Sequence, residues 1–518
     1  MPDAALLALS DKTGALELAR ALAKRGSEIY ATAGTREALA SGGIASHGVD
    51  EITGFPPLFG GRIKTLHPKL FGGILFDRGD VSHQAEAREH GIGAFATVAV
   101  TLYPFEEAVA RGASHGEIVE QIDIGGVALL RAAAKNYRHV GVLSDPLQYA
   151  EYAAALAAGG ADGDLRKRLA AAAFERVAEY DAAIARYFSA HDRPAAELPG
   201  ALTVAMPLAQ QLRYGENPQL RAAFYLAAPR RLPEQLHGKA LSYNNLLDLD
   251  ATLKLRSRAP LGAEFGSRRE RFARAAVVKH TVPCGVAQRS TVGKAVRAAL
   301  DADPVSAYGG ILAADRTIDR DAAETVAGFF LEIVAAPDFT SDALARLRTK
   351  KNLRVMRFAE HLPDELQRGL QLRSALGGVL AEEEDPQFSR ESWNVASARK
   401  PTTQEWHDLA LAWDVVRHVK SNGVVVVKDG VARGICAGQT NRVSAVQIAC
   451  MRAGELARGA ACASDGFFPF ADGLEAAASA GCTAVIAPSG SIRDAEVVAA
   501  AERLGVSLIF STHRYFLH

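Results

Sequence analysis

The 518-residue chain carries no net charge, 59 basic residues against 59 acidic ones. Without a net field the charge balance gives no support to a nucleic-acid or membrane partner, which leaves only local patches such as Arg268, Arg269, Arg271 and Arg274. That run is expected to be a solvated helix face. Cysteine is scarce: Cys284, Cys436, Cys450, Cys462 and Cys482 form no CxxC pair, which argues against a disulfide framework or a Cys-rich zinc site. Their apolar surroundings, such as GICAG and AACAS, predict free buried thiols. Long apolar runs are missing too. The apolar part of MPDAALLALSDKTG is too short for a signal peptide or a membrane span, and no later run reaches such a length, so the expectation is cytoplasmic residence. A GxxxxGK[ST] loop and a short-period repeat are also absent.

What is present suits a soluble α/β protein of two to four domains, with 48% hydrophobic and 23% charged residues. ALLALS and EIYAT read as buried strands, and GALELARALAKRG and TREALASGG as helices. That alternation implies βαβ units and a parallel sheet with loops at its carboxyl edge. Residues 151–190 turn to Ala-rich helix, and HDRPAAELPG, with Pro194, Pro199 and Gly200, marks a domain boundary. The expected domains are 1–198 and 199–518. Beyond the boundary strand and helix alternate again, with strand-like AYGGILAA and NGVVVVKDG. The stretch from about 338 to 400, with its EEED run, reads as a polar, irregular, solvated excursion. The chain then closes on helix DGLEAAASAG, strand CTAVIAP, turn SGSIRD, helix AEVVAAAERLG and strand VSLIFST.

Four constellations could carry chemistry. GGRIKTLHPKLFGG sets Arg62, Lys64, Thr65, His67 and Lys69 between glycine pairs, as a phosphate cradle or as a solvated basic loop. Thr32, Ala33, Gly34 and Thr35 stand where a strand passes into a helix, whose N-terminal N–H groups favour a phosphate, although threonine also caps helices for stability alone. Asp123 and Lys135 bracket an apolar helix, either as cap and dipole partner or as an acid/base pair reaching one pocket. In VVKHTVPCG, Lys279 and His280 follow a β-branched run that Pro283 and Gly285 are expected to end. The pair is a polar strand end, or a general base beside a cation that stabilises an oxyanion. A zinc deaminase reading of Pro283-Cys284 fails, because no second cysteine and no HxE are in range.

Together, SDKTG at 10, GRIKTLHPKLFGGIL at 61, LYPF at 102, EQIDIGGVALLRAAAKN at 120, LRYGENP at 212 and LSYNNLLDLDA at 241 resemble one family. VVKHTVPCGVA at 277, DPVSAYGGILA at 303, VKSNGVVVVKDG at 419, AGQTNRV at 437, ASDGFFPFADG at 463 and APSGSIRD at 487 continue the match in family order. The family combines 5-aminoimidazole-4-carboxamide ribonucleotide (AICAR) transformylase with inosine monophosphate (IMP) cyclohydrolase. The resemblance implies a methylglyoxal-synthase-like first domain and a transformylase half of two cytidine-deaminase-like units without zinc. It also implies a homodimer with shared sites and 10-formyltetrahydrofolate as co-substrate.

Carried over by motif, Ser10, Lys12, Thr32 to Thr35, Arg62, Lys64 and Thr65 would hold the nucleotide during cyclisation of formyl-AICAR. Tyr103, Asp123 and Lys135 would surround the reacting atoms, Lys135 as the family's proton-transfer residue. In the transformylase the resemblance makes His280 the base, with Lys279 beside it and Asn422 a donor to the formyl oxygen. Arg213, Tyr214, Gly309, Glu332 and Arg514 would grip AICAR, while Arg442, Val443, Phe467, Asp472, Ser491 and Ile492 fall where the family meets folate or nearby substrate groups. Asp465 resembles an acidic residue near a potassium ion. Thr101 and Val282 depart from the family pattern, the first where Asn is usual and the second where a polar residue is. The alternative reading keeps the transformylase and makes the first domain a sensor of a phosphorylated ligand.

Overall fold

The computed structural model describes residues 3–191, 198–226, 232–256, 272–366, 370–383 and 392–518. Two compact units divide the chain. One holds Met1–Ala209 with Tyr225–Arg231, the other Gln210–Phe224 with Leu232–His518.

In the first unit β1 (Ala4–Leu9), β2 (Glu28–Ala31), β3 (His47–Gly48), β4 (Phe95–Thr101) and β5 (Gly141–Leu143) form one sheet in the order β3-β2-β1-β4-β5. Every pairing is parallel, as the alternation predicts. Helix Ala15–Lys24 buries Ala15, Leu18, Ala19 and Leu22, one stripe at helical spacing. Leu6, Leu7, Val98, Val100, Leu129 and Leu130 fill the same core. Strand order reverses between β1 and β4, so the crevice that α/β sheets use for ligands lies above the carboxyl ends of those two strands.

A two-stranded ribbon of β6 (Leu208–Leu212) and β7 (Ala222–Tyr225) precedes the main sheet of the second unit. That sheet contains β8 (Glu234–His237), β9 (Ala273–Lys279), β10 (Val282–Arg289), β11 (Ile311–Ala314), β12 (Ile333–Ala336) and β13 (Arg354–Arg357). A separate hairpin, β14 (Leu370–Ala375) and β15 (Gly378–Glu383), follows. The sheet resumes with β16 (Trp393–Val395), β17 (Val424–Lys428), β18 (Val431–Cys436), β19 (Ala461–Ser464), β20 (Ala484–Pro488) and β21 (Ser507–Ser511). Its order is β16-β21-β20-β19-β17-β18-β10-β9-β11-β12-β13-β8. Read outward from the central β18–β10 pair, each half is a hairpin, three mutually parallel strands and an antiparallel edge strand.

The halves match residue by residue at their tightest contact. Gly285 is the fourth residue of β10, and a Cβ there would stand 2.1 Å from the carbonyl oxygen of Ala299 in helix Val292–Leu300. Gly434 is the fourth residue of β18, and a Cβ there would stand 1.9 Å from the carbonyl oxygen of Ala449 in helix Arg442–Ala453. In both halves the helix lies against bare backbone, which only glycine allows.

Three expectations are corrected. The chain reverses at His280 and Thr281, which have φ of 55° and 60°; Pro283 and Gly285 lie inside β10, where the register shifts between them. Arg274 is not on a solvated helix face. It is 1% exposed on β9 and ion-paired with Asp414, while Arg268, Arg269 and Arg271 lie outside the described residues. The 338–400 stretch is not wholly a solvated excursion either, because helix Ser341–Arg348 and buried β13 belong to the main fold. Hairpin β14–β15 is exposed, as expected of an excursion, but it is a regular antiparallel pair rather than irregular chain, and only Glu382 and Glu383 of the EEED run lie within the described residues. The five thiols are free, Cys284 half-buried and the others buried. Pro194 of the boundary segment lies outside the described residues.

Candidate active sites

In the first unit the SDKTG turn closes the end of β1. Thr101 at the end of β4 braces it: its Oγ1 accepts from Asp11 N at 2.8 Å and donates to Asp11 O at 3.3 Å. The departure at Thr101 therefore serves the turn's backbone. Ser10 N donates to Thr101 O at 3.2 Å, and Asp11 accepts from Thr13 N at 2.8 Å, a bond that holds its carboxyl below the usual range. Lys12 Nζ donates to Ser10 O at 3.0 Å. A Cβ at Gly34 would lie 4.0 Å from that ammonium, which thus hangs over the start of helix Ala33–Ser41. The N-terminal N–H groups at Ala33 and Gly34 and the Lys12 charge converge on one spot, a favourable place for a phosphate. Thr35 is occupied otherwise. Its buried hydroxyl bonds Leu9 N at 2.9 Å and Leu9 O at 3.2 Å and so ties the helix to β1, leaving Thr32 as the outer hydroxyl.

The basic loop adds the second half of this crevice. Lys64 Nζ donates to the Tyr103 hydroxyl at 2.7 Å and lies 5.5 Å from the ring centroid. Thr65 is buried, and Gly125 lets its hydroxyl approach: a Cβ there would be 2.6 Å from Thr65 Oγ1. Asp123 Oδ1 accepts from Gly126 N at 2.7 Å. Burial pushes its carboxyl above the usual range, opposed by the Gly126 and Tyr103 N–H groups and the Lys64 charge. Arg62 is ion-paired with Glu120, and His67 caps helix Pro68–Leu75 by accepting from Lys69 N at 3.2 Å. Tyr180, which the sequence did not flag, accepts from Asp123 N at 2.9 Å and donates to Gln121 O at 2.6 Å. Lys135 does not join this cluster. It is the last residue of helix Gly125–Lys135, about 15 Å of helix from the end that carries Asp123, at the opposite edge of the sheet.

In the second unit strand directions bring the candidates to one edge of the sheet. The β9–β10 turn, the segments before β11, β12 and β17, and those after β18, β19, β20 and β21 all meet there. A cavity of about 340 Å³ opens on this edge, lined by Asn422, Thr440, Asn441, Arg442, Val443, Phe467, Pro469, Phe470, Asp472 and Phe516. Five candidates thus share a wall: Asn422, Arg442, Val443, Phe467 and Asp472. Asn422 Nδ2 donates to Gln439 O at 2.8 Å, and an amide has a second N–H to offer. Arg442 donates to Ser464 Oγ at 3.0 Å and pairs with buried Asp465.

Other candidates stand along the same edge but outside that wall. Lys279 Nζ donates to Tyr308 O at 2.7 Å, Gly309 (φ 79°) precedes β11, and Glu332 pairs with buried Arg354 at 2.6 Å. His280 is about 10–15 Å, two to three strand spacings, from the start of β17 and Asn422. Val282 registers opposite Lys279 as the first residue of β10. Ser491 N donates to Asp494 Oδ1 at 3.2 Å, Ile492 is fully exposed, and the Arg514 guanidinium lies 4.6 Å from the Phe516 ring. Arg213 stacks on Tyr214 at 5.5 Å, beside the ribbon. Sequence reasoning missed Phe470 and Phe516; only the fold carries them to one cavity.

The family model described as AICARFT/IMPCHase bienzyme matches residues 133–452, more than half the chain. The chain belongs to that family. An MGS-like domain model matches residues 14–128, in agreement with the parallel sheet of the first unit. Among curated relatives, the bifunctional purine biosynthesis protein PurH of Brucella ovis is 44% identical, covering 99% of this chain and 97% of its own. PurH of Desulfitobacterium hafniense (strain DSM 10664 / DCB-2) is 44% identical, covering 99% of each chain. The solved structure of ForH covers 36% of this chain and 98% of its own at 36% identity, with a TM-score of 0.32. The family's two activities, AICAR formyltransferase and IMP cyclohydrolase, make this chain a bifunctional enzyme of purine biosynthesis acting on small molecules with a folate-type co-substrate. No helix among the described residues is long and apolar enough to cross a membrane.

Proposed function

We propose that the two reactions are divided between the two units, cyclisation above β1 and β4 and formyl transfer on the edge that bears the cavity. The cavity carries this reading most directly, since it gathers five residues chosen from three separate sequence motifs. In the transfer, the amine of AICAR attacks the formyl carbon of 10-formyltetrahydrofolate and passes a proton to His280. The spare Asn422 N–H donates to the formyl oxygen as charge develops there, and the intermediate collapses as the carbon–nitrogen bond to folate breaks and the departing folate nitrogen takes up the proton that His280 received. Arg442, Val443, Phe467 and Asp472 seat the folate portion, with Ser491 and Ile492 at the mouth. Arg213, Tyr214, Gly309, Glu332, Lys279 and Arg514 hold AICAR.

Cyclisation needs no co-substrate. Ser10, Lys12 and residues 32–35 hold the phosphate, with Arg62 and Thr65 flanking it. The carboxamide nitrogen of formyl-AICAR attacks the formyl carbon and water leaves, with Lys64 and Tyr103 donating to the departing oxygen and Asp123 moving the proton. Lys135 cannot reach these atoms within its own chain, so its proton-transfer role requires a second copy to supply it. His280 and Asn422, separated along the edge, raise the same requirement, and both favour the homodimer. The sensor alternative is not favoured, because the bifunctional relatives match over nearly their whole length.

Potassium at Asp465 does not fit the arrangement as it stands. One carboxylate oxygen accepts from the Ser421 hydroxyl and the other pairs with the Arg442 guanidinium, so the charge that would draw a cation is already compensated.

The division is tested with purified variants given AICAR and 10-formyltetrahydrofolate, or formyl-AICAR alone. His280→Ala should abolish formyl transfer and spare cyclisation, and Lys135→Ala should do the reverse. Loss of both activities in each folded variant would refute two separate sites.

A further inference from the structure

We propose that Asp248 is a positioning residue for formyl transfer, whose carboxylate holds the His280–Thr281 turn in the left-handed backbone conformation that decides where the imidazole stands. The inference rests on the reading of His280 as the base. Asp248 Oδ2 accepts from His280 N at 3.2 Å and Oδ1 from Thr281 N at 2.6 Å. Neither turn residue is glycine, yet both have positive φ, and a β-branched threonine resists that region. Among the described residues no group hydrogen-bonds the exposed imidazole, so the backbone of the turn is what aims it.

The duplicated half supplies an internal comparison. Asp248 is the sixth residue of helix Tyr243–Arg256, and Asp408 is the sixth residue of helix Thr403–Val416. Asp408 clamps the β17–β18 turn in the same way, accepting from Asp429 N at 2.9 Å and Gly430 N at 2.7 Å. That turn reads Asp-Gly, a sequence suited to positive φ at both positions, and carries none of the proposed chemistry. The His-Thr turn has the clamp without the favourable sequence. Its geometry therefore depends on the carboxylate far more than the Asp-Gly turn does.

The experiment compares Asp248→Asn, Asp408→Asn, His280→Ala, the double variant Asp248→Asn/His280→Ala, and Asp248→Asn/Thr281→Gly in the full-length protein. Formyl-transfer kcat and KM, cyclisation of supplied formyl-AICAR and melting temperature are read for each. Asp248→Asn should lower transfer kcat about 100-fold, the loss expected of a displacement of about 1 Å, with cyclisation unchanged. Asp408→Asn should melt earlier yet keep transfer within about twofold. In the His280→Ala background Asp248→Asn should add no further loss, as expected of residues acting as a unit. Thr281→Gly, which removes the steric objection to positive φ, should restore at least about tenfold of the Asp248→Asn deficit even if that single variant folds poorly. The proposal is overturned if His280→Ala is inactive while Asp248→Asn keeps parental transfer, or if Asp248→Asn and Asp408→Asn lose transfer in parallel. Persistent transfer in His280→Ala would instead overturn the assignment of the base, a distinct result.

Discussion

Replacing Lys64 by Met probes the cyclisation site with two independent signatures. Methionine keeps roughly the length of the side chain and removes the charge and every donor. The bond lost is the one from Nζ to the Tyr103 hydroxyl at 2.7 Å, together with the ammonium that lowers the Asp123 carboxyl. A hydrogen bond to a charged group contributes about 1.5–3 kcal/mol. Lys64 is exposed before substrate arrives, so screening places the effect near the lower end, about 1.5 kcal/mol, or roughly tenfold in kcat/KM. The second signature is in pH. With the ammonium gone, burial acts on Asp123 with less opposition and its carboxyl rises further. Where the carboxylate is the working form, the acidic limb of kcat/KM moves to higher pH. Cyclisation of supplied formyl-AICAR followed from about pH 5 to 8, with formyl transfer as the control in the same preparation, measures both. Parental cyclisation with an unmoved acidic limb would refute the role given to Lys64. Equal loss of both activities would assign the lysine to stability.

Three further outcomes concern the second unit. Burial and the Arg417 guanidinium hold His418 well below its usual range, and its Nε2 accepts from Arg417 Nε at 3.1 Å, so the ring is neutral in the folded state. The unfolded chain binds the extra proton below about pH 6.5, so stability is present above that value and falls by about 1.4 kcal/mol per pH unit beneath it; a flat urea midpoint between about pH 7 and 5 would contradict this. Arg274→Met strips Asp414 of its buried partner and leaves Arg417 at 3.5 Å, which should cost about 3 kcal/mol in urea unfolding. Arg274→Met/Asp414→Leu should recover most of that loss, and a double variant weaker than the single would show that the pair is not the cause. Gly434→Ala places a Cβ 1.9 Å from the Ala449 carbonyl oxygen and should destabilise by about 1–3 kcal/mol; parental stability would mean that helix Arg442–Ala453 yields at no cost.

Local pattern was enough for much of the fold. Alternation of apolar runs with amphipathic stretches announced the parallel sheet of the first unit, because both signals come from neighbours along the chain. Motif text likewise picked Lys64, Tyr103 and Asp123, and the structure joins them, as it joins Asn422 with Arg442, Val443, Phe467 and Asp472. The two like units of the second half were implied by the family resemblance and left no mark in the residue pattern itself, since what they share is a helix lying on bare backbone at Gly285 and Gly434, a property of contact with no periodic trace. Arg274 looked like one more surface cation until its strand placed it beside Asp414. Spacing left Asp123 and Lys135 open between helix-end roles and an acid/base pair, and only the resemblance joined them in one pocket; the rise of a rigid helix separates them within one chain. Sequence alone settled the strands and helices of the first sheet and of the closing stretch, and which residue types could do the chemistry, because those depend on short-range geometry. Tertiary structure alone decided which charges are buried, which turn carries the imidazole and which side chains share a cavity, because each depends on segments distant in the chain meeting at the same edge.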